Sequence, residues 1–405
     1  MVKNNVQGKA VDRWFDYFLV TLLIFMSGNP VVAVRYSYPF LGLASLAWLL
    51  FQFRQKDVKR VMAYTACFLL LFLAQYFVLG TISFGGSFNY LCKLFFGASI
   101  LLYIGDRFRE LFLNIITVLA AVSFVFYIPQ LFGFIIPDAF PVPSDDLHSV
   151  FIYNANIVRD EYLRNCGPFW EPGAFAGFLF MCLLMYIGDI KQLVKSKPWH
   201  LLIICLAMLS TRSTGGYILM AFLLLYIMAV VLFRPKWWYY LSLVVFIVAV
   251  GVTFYFTPFL GEKIRHQSSV TIAQMDYKEK PIYYNSRSGS LVFDYYYLSK
   301  HPLVGNGLKA STRFADHLDI VHIIHRGHSN GFSNYFAQFG IPMALLYFIL
   351  LYRRLPMRIR SRLAFLLLYI ILMQEEQYLN FPLFIALPFL LLPETCERRK
   401  EPLCC

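Results

Sequence analysis

Charge is what this chain has least of. Only 15% of its 405 residues are charged, while 59% are hydrophobic and 18% aromatic. A soluble core cannot hide that much apolar surface, so a water-soluble globular enzyme is excluded. Acidic side chains are scarcer still, 23 against 36 lysines and arginines. The resulting net charge of +13 could suggest nucleic acid, but most of the basic residues flank hydrophobic runs, which is how membrane topology is written, and no nucleic-acid partner is expected. Disulfide chemistry has little to work with. Cys67, Cys92, Cys182 and Cys205 lie in or beside apolar segments, Cys396, Cys404 and Cys405 fall in the tail, and Cys166 alone sits in a long loop. There is no P-loop, no Ser–His–Asp pattern, no repeat and no low-complexity tract. No convincing small-residue cleavage site follows the first apolar run, so "MVKNNVQGKAVDRWFDYF" reads as the lead into a retained helix and not as a signal peptide.

What is present is a succession of apolar runs. They predict an all-α, polytopic transmembrane helical bundle of about twelve spans, forming a single integral membrane domain over residues 1–405. The spans are 14–34, 38–53, 61–82, 87–104, 110–136, 171–188, 199–211, 214–233, 239–257, 329–352, 363–374 and 380–393. The runs 199–211, 363–374 and 380–393 are short and read as tilted, broken or re-entrant. Basic residues mark alternate short loops, in "FRQKDVKR", "GDRFRE", "KQLVKSKP", "RPKWW" and "RRLPMRIRSR", with "CERRK" in the tail on the same side. The opposite loops "SGNP", "TISFGGS" and "QEEQYLN" lack lysine and arginine altogether. This asymmetry predicts cytoplasmic termini and two long extracytoplasmic loops, about 137–170 and 258–328. Long translocated loops escape the positive-inside rule, so arginines in them need another reason.

Several polar residues interrupt this background. In "LRNCGPFWEPGAFAGFLF", Arg164 precedes a helix start in which Pro172 suits the first turn and Glu171 faces the positive end of the helix dipole. On its own the stretch reads as a capped helix, with Arg164 reaching headgroups or Glu171. In "LSTRSTGGYILM", Arg212 lies between two apolar runs among hydroxyls, where a charge normally faces the protein interior or a wet cavity; snorkelling is the alternative, although the other short outer loops lack arginine. Arg287 opens an amphipathic stretch that "HPLVGNG" then breaks. His317, His322, His325 and His328 cluster before the next span, and the last three are spaced by three, so zinc is a fair question; yet they match no standard zinc motif, and Gly327 and Gly331 interrupt a helix there. A histidine at that position suits general-base work. Lys93 sits within a span, either snorkelling or adding positive charge to the same cavity. Asp145, Asp146 and His148 read as a solvated loop, and Glu375 and Glu376 as a solvated helix end.

If Arg164, Arg212, Arg287 and His328 converge, the site is strongly cationic with one titratable base. Arginine forks bind phosphate oxygens and stabilise charge on a leaving diphosphate. Four elements in order, "GPFWEPGAFAGFL" with the arginine before it, "STRSTGGYI", "SRSGSLVFDYYYLSKHPLVGNGL" and "HSNGFSNYFAQFGIP", resemble the O-antigen polymerase and O-antigen ligase superfamily of bacterial membrane proteins, over roughly residues 160 to 352. The resemblance implies glycosyl transfer at the outer face of the inner membrane, from an undecaprenyl-diphosphate-linked oligosaccharide to an acceptor glycan, within the lipid bilayer and without cofactor. It implies Arg164, Arg212 and Arg287 as diphosphate ligands, Arg287 and His328 as catalytic residues, and secondary roles for Glu171, Lys93, His325 and Asn330. Here the usual "HN" is "HS", with Asn330 two places later. A repeat-unit polymerase is the first expectation. A ligase onto lipid A–core or protein, and a flippase for lipid-linked glycan, are the alternatives. A chain-length regulator protein is a candidate partner.

Overall fold

The computed structural model describes residues 4–32, 37–142, 147–156, 163–227, 287–309, 311–314 and 330–394. Helix accounts for 74% and strand for 2%, which settles the all-α class. The helices are α1 (Asn4–Met26), α2 (Ser37–Phe51), α3 (Lys56–Leu79), α4 (Phe84–Ile104), α5 (Phe108–Leu131), α6 (Pro172–Leu184), α7 (Ile190–Ser196), α8 (Pro198–Ser210), α9 (Thr214–Ile227), α10 (Arg287–Lys300), α11 (Ser311–Phe314), α12 (Gly331–Arg354), α13 (Ile359–Met373) and α14 (Pro382–Ile385). A short antiparallel hairpin, β1 (Leu147–Ser149) against β2 (Asn154–Asn156), pairs Leu147 with Asn156 inside the first expected loop. Among the described residues, three helical stretches are long and apolar enough to cross a membrane. They are α3, Phe84–Leu131 (α4 and α5, interrupted at Gly105–Arg107) and α12. The pair α6 and α7, bent by 48°, makes a fourth if it is one span. Helices α2, α8 and α9 are apolar but shorter. The expected span at 239–257 lies outside the described residues. The one at 380–393 is not a continuous helix: it is α14 followed by a 3₁₀ turn at Leu387–Phe389, because Pro382 and Pro388 remove backbone donors.

Helix α3 shows the solvent it is built for. Val58, Val61, Tyr64, Thr65, Phe68, Phe72 and Gln75 recur at helical spacing and are buried. The opposite face carries Leu69, Leu70, Leu73 and Phe77, all exposed and all apolar. A soluble helix would place charge there, so this face matches hydrocarbon. Helix α6 is buried on every side, from Pro172 to Leu184, and forms the middle of the bundle. Its approach is fixed by Asn165, fully buried, whose Nδ2 donates to Ser123 Oγ (2.8 Å) and Ser210 Oγ (2.9 Å). Asn165 Oδ1 also accepts from the Gly167 N–H (2.9 Å), closing a turn in which Gly167 adopts φ +53°.

Helix α12 is broken at Gly340 (φ 75°, ψ 168°), one turn before which and beyond its backbone groups lose helical partners. The segment 302–307 supplies them. Ile341 N–H donates to Pro302 O (2.8 Å), Asn306 N–H to Ala337 O (2.8 Å) and Gly307 N–H to Gln338 O (2.9 Å). Gln75 of α3 bridges the junction, donating from Nε2 to Val304 O (2.6 Å) and Gln338 O (2.8 Å). The "HPLVGNG" break is therefore a filler for a helix kink, and a broken helix inside an apolar bundle needs such a partner.

Gly177 tests the packing of α6. A Cβ at this position would overlap the hydroxyl and ring of Tyr378, which donates to Gly173 O (3.0 Å). Alanine gains about 1 kcal/mol of helix propensity, whereas overpacking costs about 1–3 kcal/mol. Gly177→Ala should lower the melting temperature of the detergent-solubilised protein, and Tyr378→Phe in that background should recover part of the loss.

Candidate functional site

Four helix starts gather around one acidic turn. The residues Glu375, Glu376 and Gln377 leave the end of α13 and pass against glycines at the first turns of α6, α9 and α12. A Cβ on Gly215 would coincide with the Glu375 carboxylate, and one on Gly331 would meet the Glu376 carbonyl and the Gln377 Cα. One on Gly173 would lie 3.1 Å from Glu171 Oε1, 3.7 Å from Glu376 Oε1 and 3.8 Å from Ser213 Oγ. The fourth start is Arg287, the first residue of α10, whose Nη2 forms an ion pair with Glu375 Oε2 at 2.5 Å. Each helix N-terminus carries about half a positive charge, so four of them with one guanidinium place about +3 around three carboxylates.

The carboxylates are not equivalent. Burial first, and then the adjoining Glu171, push Glu376 well above the ordinary glutamate value, with Arg287 pulling the other way. Two ionised carboxylates in hydrogen-bond contact repel by about 5 kcal/mol at an effective dielectric of about 20. The protonated form of Glu376 is thereby favoured. Glu171 occupies the N-cap position of α6 but makes no cap hydrogen bond. Its side chain is engaged by Glu376 instead, so the expected capping role is corrected.

On the other flank stand Arg164 and Arg212. Arg164 is half-buried and donates from Nε to the Thr211 carbonyl (3.2 Å). Arg212 follows Thr211 and is exposed, at φ 47°. A left-handed conformation costs a non-glycine residue about 1–2 kcal/mol, and glycine or asparagine would be cheaper there. Both guanidinium groups act electrostatically on Tyr217. The turn Thr211–Gly215 thus carries Arg164 and Arg212 at one end and the Arg287–Glu375 pair at the other, with Ser213 between them.

A buried polar network holds the acidic turn from behind. Arg313 donates to Asp294 Oδ1 (3.0 Å) and Asn334 Oδ1 (2.8 Å), and Ser333 Oγ donates to Asp294 Oδ2 (2.6 Å). Asn334 Nδ2 reaches Gln377 Oε1 (3.4 Å), which also accepts from Asn380 Nδ2 (2.6 Å). Lys93 Nζ donates to the Asn380 carbonyl (2.9 Å) and stands 4.6 Å over the Tyr38 ring. It braces the far end of the turn, which corrects the snorkelling alternative. Asn330 caps α12 by accepting from Ser333 N–H (3.1 Å), and its Nδ2 donates to the Arg287 carbonyl (3.5 Å).

Of the residues expected from the sequence, Arg164, Arg212, Arg287, Glu171, Lys93 and Asn330 fall around this locus. His317, His322, His325 and His328 lie outside the described residues, as do Asp145 and Asp146. His148 is tied to the hairpin, its Nδ1 2.8 Å from Ile136 O. No cluster of three metal-ligating side chains occurs among the described residues. One expectation is overturned: Glu375 is 8% exposed and ion-paired, not solvated. Among the described residues the arginines are accompanied by three carboxylates. Asp294, Arg313 and the acidic turn went unrecognised in the sequence. The available signal was a glycine in the first turn of three helices, in "EPG", "TGG" and "NG", where φ does not require one.

Arg287→Ala should remove the ion pair with Glu375 and cost about 1–3 kcal/mol, less than a fully buried pair because Arg287 is 26% exposed. Adding Glu375→Gln should restore most of that, with a coupling of about 1 kcal/mol or more by thermal unfolding of the four proteins of the cycle. Glu376 has the opposite pH signature from a paired carboxylate. Its contribution is full below the ordinary value of 4.5 and declines as pH rises toward the raised folded-state value. The melting temperature of Glu376→Gln should therefore gain on wild type as pH rises from 4.5 toward the raised value and level off above it, and a constant difference across that window would refute the upward shift. No known protein family matches the chain, and no curated protein matches it either.

Proposed function

We propose that this protein transfers a glycan from an undecaprenyl-diphosphate donor to a sugar hydroxyl at the periplasmic face of a bacterial inner membrane, polymerising O-antigen or exopolysaccharide repeat units. In this reading about twelve spans place both termini in the cytoplasm and the site outside. The observation that carries it is the gathering of Arg164, Arg212 and Arg287 around the Thr211–Gly215 turn, beside the starts of α6, α9, α10 and α12. Arginine forks and helix N-termini are the two commonest devices for holding phosphate oxygens. The left-handed Arg212 adds to this, since backbone strain is tolerated most often where a side chain must be aimed.

The chemistry then follows. The acceptor hydroxyl oxygen attacks the anomeric carbon of the donor sugar, and the bond from that carbon to the diphosphate oxygen breaks. The hydroxyl proton passes to His328, acting as general base, and the diphosphate leaves with the bonding electron pair. Arg164, Arg212 and Arg287 stabilise its developing charge. His328 precedes by two residues Asn330, which is bonded to the Arg287 carbonyl. The reaction asks for no metal.

His328→Ala should abolish chain growth while single lipid-linked units accumulate on the outer leaflet, read from a glycan profile of the membranes. Long chains in that mutant would refute the base. Single units on the cytoplasmic leaflet would favour a transporter, and loss of glycan on lipid A–core with chain growth intact would favour a ligase. Arg287→Lys keeps the charge and loses the fork, and should reduce transfer by about 100-fold. Activity should survive strong chelation, and zinc-restorable loss would return the histidine cluster to consideration.

A further inference from the structure

The Glu375 carboxylate sits where a phosphate belongs. It lies on Gly215, in the first turn of the fourteen-residue α9, so closely that no Cβ fits between them. From the other side it is held by Arg287 Nη2 at 2.5 Å. A helix first turn beside a guanidinium suits an anion, and here the protein's own carboxylate packs against both. The site has capacity that a single carboxylate does not use. Arg287 Nε is buried without a hydrogen-bond partner among the described residues. So is Thr214 Oγ1, on the residue beside Gly215, which is 8% exposed. A phosphate offers more acceptor oxygens than a carboxylate, and both orphans are donors. Glu375 lies outside regular helix: it follows the last turn of α13, in a connection to the 3₁₀ turn at Tyr378–Asn380.

We infer that the first turn of α9 and Arg287 form a phosphate cradle that Glu375 fills in the ligand-free protein, its two carboxylate oxygens standing in for two phosphate oxygens, and that a diphosphate binds by displacing it. The inference rests on the proposed function for the identity of the donor, and it assigns what that reading leaves open: which backbone holds the phosphate and what must move first. Glu375 is a positioning residue in this scheme. It keeps Arg287 aligned while the cradle is empty and prevents the half-buried guanidinium from standing unpaired. The glycine at 215 is required by the cradle, since any side chain there would exclude the carboxylate and the phosphate alike.

The test is calorimetric titration of the full-length protein in detergent with inorganic pyrophosphate and, separately, farnesyl diphosphate. Glu375→Gln removes the competing anion and should tighten binding of both probes about tenfold or more. Gly215→Ala leaves every charge in place but fills the cradle, and should weaken both about tenfold or more. The opposite signs separate displacement from a general change in electrostatic field. Unchanged or weaker binding by Glu375→Gln overturns the inference, as does wild-type affinity in folded Gly215→Ala. Should Gly215→Ala fail to fold, Glu375→Gln decides alone. Tighter binding of farnesyl diphosphate than of pyrophosphate identifies a lipid-linked ligand; equal affinity identifies a free phosphate. Transfer from a lipid-diphosphate donor is assayed alongside. Transfer present with Glu375→Gln affinity unchanged removes the cradle and leaves the transferase, whereas absence of pyrophosphate binding by every protein removes both.

Discussion

The structure depends on one constraint: a carboxylate turn has to be accommodated where a helical bundle is mostly apolar. Bringing Glu375 and Glu376 out of water is costly, and nothing in the surrounding hydrocarbon-like packing offsets it. The offset comes from direction. Helices α6, α9, α10 and α12 all begin at this point, so their exposed N–H groups and the Arg287 guanidinium face the same small volume. Chain reversals elsewhere, the glycines that allow close approach and the buried Asp294–Arg313–Asn334 network all serve to keep those four starts in register. The arrangement couples distant parts of the chain: residues 171, 215, 287, 331 and 375 become neighbours.

That geometry also explains why the arginines are split. Arg287 is committed to a carboxylate inside the bundle, while Arg164 is fixed by the Thr211 carbonyl and Arg212 projects from a left-handed residue into open space.

How much of this was legible depended on whether a residue's role is local or long-range. The helical class followed from apolar run length, and Arg164, Arg212 and Arg287 stood out because arginine beside a span needs a reason. Span count was less secure: apolarity does not reveal that Pro382 and Pro388 break a run into short turns, or that Gly340 divides a helix. Glu375 and Glu376 were misread because two acids after an apolar run ordinarily face water. The glycines packed against them, Gly173, Gly215 and Gly331, are far away in the chain, and no periodicity carries that information. Asn165 and Gln75 escaped for the same reason, each being a single polar residue whose partners are backbone or side-chain atoms of other helices.

The kinked α12 has a consequence for how the chain is assembled in the first place. A helix interrupted at Gly340 cannot satisfy its own backbone, and its missing partners belong to residues 302–307, which are synthesised earlier. Threading α12 into a bilayer alone would leave amides and carbonyls facing lipid. The span is therefore completed by its neighbour and not by itself, with Gln75 of α3 holding the two together.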